Sequence, residues 1–183
     1  MAQHRARILD VASRAFRARG FEGSTVADIM KDAGLTHGGF YGHFESKAHL
    51  EAAACATAIA PAAARWAAVI EDSGDSPEDA RESIVDGYLS ERHRDSPATG
   101  CVFAALGPEA SRGDPAVRKA FTDGLKTRLD LLAQVVTGQS RKVRRDKAIA
   151  TMAGLVGAIV LSRAVNDPDL SDEILEAVRS EYG

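Results

Sequence analysis

The chain has 183 residues, 45% hydrophobic, 27% charged and 5% aromatic, with two cysteines and a formal net charge of −3. That length suits one domain or two small ones with chain enough for a core, and the balance of charged and apolar residues excludes intrinsic disorder. Two cysteines forty-six positions apart exclude a disulfide framework and give no zinc spacing, so a reducing cytoplasm is the expected location.

Helical periodicity dominates from the start. Ile8, Ala12, Ala15, Phe16 and Arg19 recur on one face while Gln3, Arg7, Asp10, Arg14 and Arg17 take the other, which predicts an amphipathic helix. Gly20 ends it, and Phe21 can fold back on the apolar face. Thr25 begins a capping-box-like start, with Asp28 in place of the usual Glu, to a short helix stopped by Gly34. Thr36 can cap a third short helix through His43. A fourth is predicted from about Ser46 to Ile70, kinked or divided at Pro61. Further helices are predicted at Glu78 to Arg92, Val102 to Ser111, Pro115 to Thr137, Arg144 to Val165 and Ser171 to Glu181. They are separated by Pro- and Gly-containing breaks such as Ser73 to Pro77 and Gly113 to Pro115. Strand alternation is nearly absent. The expected fold is all-α, with eight or nine helices.

The charge is uneven. Through Leu50 there are seven Lys and Arg against five acids, or +2; residues 51–183 hold sixteen against twenty-one, or −5. Four of the five histidines, His4, His37, His43 and His49, also lie in the first fifty residues. Taken whole, a pI near 6.0 argues against a nucleic-acid partner; taken in parts, that objection falls away.

The stretch from Thr25 to Phe44 carries the chemistry. Two short helices meet at a tight turn with Gly34 in its middle, the layout of a helix-turn-helix. Phe40 and Phe44, four apart, can anchor one face in a core. Thr36, His37, Gly39, Tyr41 and His43 are left to face outward. Hydroxyl, imidazole and phenol groups beside glycines suit a major-groove edge and phosphates.

Here the sequence resembles the TetR/AcrR family of bacterial transcriptional regulators. The matching residues are Thr25, Val26, Ile29, Ala33, Gly34, Leu35, Thr36, Gly38, Phe40, Tyr41, His43, Phe44, Lys47 and Leu50, with Arg19-Gly20-Phe21 before them. The resemblance covers roughly residues 8 to 52, and beyond that only length and helix count agree. It implies a three-helix DNA-binding domain over 1–50 and a helical ligand-binding and dimerisation domain over 51–183. Thr36, His37 and Gly39 would then approach base edges, with Gly38 also in the DNA-binding set and Tyr41 on the backbone or a thymine methyl. Thr25, His43 and Lys47 would contact phosphates. Gly39 and Gly42 depart from the family pattern, removing side-chain contacts and lowering helix propensity by roughly 1 kcal/mol each. Met30 stands where a small alanine is usual.

The implied partners are a double-stranded, near-palindromic operator, a second copy of the chain and a small-molecule effector of unknown identity. No cofactor, metal or membrane is expected, and the longest apolar run, Met152 to Leu161, is about half a membrane span. The first residues, with His4, Arg5 and Arg7, hold no apolar core of a secretory signal. Trp66, Tyr88, Cys101, Phe103, Leu106, Phe121 and Met152 can line a ligand cavity, or equally form the core of any helical domain. The helix after Arg144 is apolar nearly all round, so Gly154, Gly157, Ala158 and Leu161, with Ile174 and Val178 of the last helix, form a candidate dimer seam. His93, between Arg92 and Arg94, reads as a solvated helix end. Cys101 begins a helix whose dipole would lower a thiol pKa, though a small buried residue is the commoner reading; Cys55 reads as structural. No nucleophile–base pair is legible, so a non-enzyme is expected. The alternative is a helical small-molecule-binding or thiol-reactive protein without DNA binding.

Overall fold

A computed structural model describes residues 2–183. Among them are nine α-helices, two short 3-10 segments and no strand. In chain order the helices are α1 (Ala2–Arg19), α2 (Val26–Asp32), α3 (Lys47–Asp72), α4 (Pro77–Tyr88), α5 (Glu91–Asp95), α6 (Val102–Arg112), α7 (Pro115–Val135), α8 (Arg141–Ala164) and α9 (Pro168–Tyr182). The 3-10 segments are His37–Gly42 and Pro97–Thr99.

The expected all-α class is what is observed, with four local differences. The third segment, His37–Gly42, is a 3-10 helix rather than an α-helix, and the Thr36 side chain makes no cap hydrogen bond. Three glycines in six residues remove the propensity that would hold a full α-turn. The stretch expected as one helix from Glu78 to Arg92 is two, broken where Ser90 caps α5 by accepting from the His93 N–H. Pro61 lies inside α3 without ending it. Helix α8 starts at Arg141, capped by Ser140 on the Val143 N–H, three residues before the expected start.

The chain divides into two compact units, residues 1–60 with 97–124 and residues 61–96 with 125–183. The first packs α1 against α2 and α6. Its core holds Ile8, Ala12, Phe16, Ile29, Met30, Phe40, Phe44 and Leu50, each no more than 1% exposed. The second packs α8 against α9, with α4 and α5 alongside, around Ile84, Val85, Leu89, Met152, Leu155 and Ile159.

In the second unit His93 is not a solvated helix end. Its Nδ1 lies 2.5 Å from the Tyr88 carbonyl, its ring meets the Tyr88 ring edge-on at 4.6 Å, and Arg163 donates to the His93 carbonyl. Burial, and after it the nearby Arg163, Arg128 and Arg65, pull its pKa below the ordinary value. Helices α3 and α8 are long and apolar enough to cross a membrane by length and composition. In α3 that reflects alanine, twelve of twenty-six residues. In α8 it reflects a buried face of Ala148, Met152, Leu155, Ala158 and Ile159.

Candidate nucleic-acid interface

The turn-bearing segment is built from the first unit's core outward. Thr25 caps α2 reciprocally: its Oγ1 accepts from the Asp28 N–H at 3.1 Å and donates to Asp28 Oδ2 at 2.6 Å. That hydroxyl is the main reason the Asp28 carboxyl sits below its usual pKa. The capping-box expectation therefore holds with the shorter side chain. Phe21 folds back as expected, its ring edge-on to Phe16 at 5.2 Å.

The turn after α2 places Gly34 at φ +67°, in the left-handed region that favours glycine. A Cβ there would also stand 2.7 Å from the Arg7 guanidinium. Both facts make glycine the residue this turn requires. Next, His37–Gly42 is pinned from beneath. Phe40 and Phe44 are each 1% exposed and stack at 5.7 Å, and the Arg5 guanidinium lies 5.1 Å over the Phe44 ring.

Everything opposite those two rings is open. Thr36, His37, Gly38 and Gly39 are exposed, and Tyr41 is 71% exposed with its ring edge-on to Phe40. A phenol at that exposure has no core role and is free to meet a partner. His43 is half-buried, 6.3 Å from the His4 ring, and Thr25 is exposed beside the cap it makes. The structure thus leaves Thr36, His37, Gly38, Gly39 and Tyr41 exposed around the buried Phe40. Met30 is wholly buried, its Cε 3.8 Å from where a Cβ on Gly39 would lie.

Lys47 differs from the others. Its Nζ donates to the Phe21 carbonyl at 2.7 Å and pairs with Glu51 at 3.6 Å. From the other side, the Phe21 N–H donates to Glu109 of α6 at 2.6 Å. One peptide residue between α1 and α2 is thereby held at both ends. Sequence reasoning missed Glu109, which lies eighty-eight positions from its partner. It also missed Arg17, whose guanidinium binds Ser13 and the Gly100 carbonyl and whose pKa burial lowers.

The expected ligand-cavity residues divide between the two units. In the first, Phe103 and Phe121 meet edge-on at 5.4 Å, with Leu106 and Cys101 buried. In the second, Trp66 lies near Tyr88, ring centres 6.1 Å apart, and the buried Arg128 stacks over the indole at 3.9 Å. Met152 is buried there too. Cys101 heads α6 without a side-chain cap bond. Burial pushes the Cys55 thiol up to about 12, which keeps it protonated.

Of the candidate seam, Leu161 is 57% exposed and Gly157 has nothing within 4 Å of a would-be Cβ. Ile149 and Val160 share that open apolar face at 48% and 39%. Ala158 is buried, and Gly154 is filled from within the chain by the Tyr182 ring. Ile174 and Val178 are half-buried on α9.

Residues 8–54 match the family of bacterial regulatory proteins described as tetR. The HTH-type transcriptional regulator TtgR of Pseudomonas putida is 50% identical over 46 residues, 25% of this chain and 22% of that protein. The chain thus aligns with about a fifth of that relative's length. Two solved structures share the fold over nearly the whole chain. The reduced form of E. coli NemR has a TM-score of 0.84 at 20% identity, covering 98% of this chain and 95% of that one. A TetR-family regulator from Agrobacterium tumefaciens has a TM-score of 0.81 at 22% identity, covering 99% and 98%.

Proposed function

Residues 8–54 match the tetR family of bacterial regulatory proteins, and from that premise we propose that the chain is a homodimeric, ligand-responsive transcriptional regulator of that family, acting as a repressor in the cytoplasm. Residues 1–50 read a near-palindromic operator, and residues 51–183 bind an effector and dimerise. The observation that carries this reading is the exposed strip Thr36, His37, Gly38, Gly39 and Tyr41 standing on the buried Phe40–Phe44 pair. A rigid apolar footing beneath a polar, glycine-bearing edge is what a major-groove reading head needs. Thr25 and His43 supply phosphate contacts beside it. Lys47 reaches phosphate only by sharing an ammonium already bonded to the Phe21 carbonyl.

Dimerisation is supported by the open apolar face of α8, where Ile149, Val160 and Leu161 cannot all remain in water at no cost. Gly157 allows a second helix to approach closely there, and Ile174 and Val178 flank the contact. Gly154 serves the seam indirectly, by letting the Tyr182 ring of α9 pack against α8, while Ala158 is buried. An effector among the aromatic residues would shift the regulator only through unequal affinity for its DNA-competent and DNA-free states.

A mobility-shift titration with DNA flanking the protein's own gene tests this. Wild type is expected to bind, and Tyr41→Ala to weaken binding about tenfold or more, the cost of a well-made contact of roughly 1–3 kcal/mol, without changing helicity. Absent binding by wild type, or a Tyr41→Ala affinity equal to wild type, would overturn the proposal.

A further inference from the structure

The second unit carries a concentration of charge that DNA reading does not use. Residues 126–147 hold seven Lys and Arg against two Asp, within a region, 51–183, whose net charge is −5. Folding gathers part of this charge into a cleft of about 620 Å³ between α7 and α8. Lys126, Asp130 and Gln134 of α7 form one wall; Arg141, Arg144 and Arg145 of α8 form the other. The volume falls within the range of small-molecule sites, roughly 300–1,000 Å³.

The internal bonds leave this charge uncompensated. Asp130 accepts from Arg145 at 2.7 Å, and Arg144 donates to the Gly138 carbonyl at 3.1 Å, so both guanidinium groups are held in place. The other acid of the segment, Asp146, is taken by Lys142 at 2.6 Å. Among the described residues, neither Lys126 nor Arg141 has an ion-pair partner. Four cations against one carboxylate leave the cleft at +3. The first turn of α8 has no acid to offset the positive end of its dipole. Like charges held this close repel, and a bound anion relieves them.

We propose that this cleft binds a compact polyanion carrying two or more phosphoryl groups. A single carboxylate would leave most of the charge unmet, whereas linked phosphoryls bring about three negative charges within the span of the cleft. Two positioned guanidinium forks and one unpaired fork match phosphoryl oxygens bidentately, with Lys126 as a point charge opposite. Ala133 is the one residue of the lining with an apolar side chain, so the groups that can orient a ligand here are charged or amide. The site is independent of the operator reading, and either can fail alone.

Calorimetric titration of the full chain with inorganic tripolyphosphate tests the proposal. Saturable binding of one equivalent per chain is expected, weakened about tenfold or more in Lys126→Gln/Arg141→Gln, the loss of two charge-assisted contacts. That variant removes no internal bond and relieves part of the repulsion, so its melting temperature without ligand should equal or exceed that of wild type. Citrate is expected to bind at least about tenfold more weakly, and citrate binding as tightly would overturn the phosphoryl assignment. Absent saturation, unchanged affinity in the double variant, or displacement of tripolyphosphate by duplex DNA would overturn the site itself.

Discussion

Tyr41 and Lys47 sit six positions apart in one motif and do different work. Tyr41 is 71% exposed, its ring meeting only the edge of Phe40, and the proposed operator contact is what its phenol would serve. Lys47 donates to the carbonyl of Phe21, whose N–H is held by Glu109. The motif reading places both on DNA, and the structure adds an internal partner for Lys47 that the motif does not record. Partners twenty-six and eighty-eight positions away leave no local periodicity. Lys47→Ala is therefore expected to lower the stability of the folded chain by about 1–2 kcal/mol, the worth of a hydrogen bond from a charged donor, read as a lower urea midpoint. A midpoint equal to wild type would show that the Phe21 clamp does not hold the domain together, and would return Lys47 to a DNA role alone.

At the scale of elements, α1 and α2, the glycine stops and the Thr25 cap were legible because each rests on neighbours within four residues. The 3-10 form of His37–Gly42 was not. A hydrophobic pair at i, i+4 fits a full α-turn, and the effect of Gly38, Gly39 and Gly42 on helix type is a sum of weak preferences. The structure separates the glycines that are needed from those that are not. At Gly39 a Cβ would lie 3.7 Å from Thr36 Oγ1 and 3.8 Å from Met30 Cε, ordinary contact distances. Gly39→Ala should stabilise the domain by about 0.5–1 kcal/mol, seen as a melting temperature a few degrees higher. Gly34→Ala, with φ +67° and the Arg7 guanidinium in the way, should lower it. Equal effects at the two positions would contradict this account of the turn.

The whole molecule is mildly acidic, and its −3 divides into +2 over the first fifty residues and −5 over the remainder. The all-α class was plain from the sequence, as was the open face of α8, since an all-round apolar helix demands cover on more than one side. The basic cleft was not, for a specific reason. The expected start of α8 at Arg144 left Arg141 and Lys142 in a loop, and only the Ser140 cap brings Arg141 onto the helix that forms one wall. The expected ligand-lining residues likewise fall in two units that sequence order does not reveal, because residues 97–124 join the N-terminal sixty. With so small a positive charge on each head, one subunit should bind DNA weakly and with a steep salt dependence, so that operator affinity depends on two subunits acting together.

Chemical footprinting of the operator-bound protein tests the central claim most directly. Two equivalent protected major-groove patches are expected, related by a two-fold axis and centred one helical turn, about 10–10.5 base pairs, or a multiple of it apart. Both should be lost together in Tyr41→Ala. A single unsymmetrical patch, or protection that survives that substitution, would contradict a dimer reading DNA through the Thr36–Tyr41 strip.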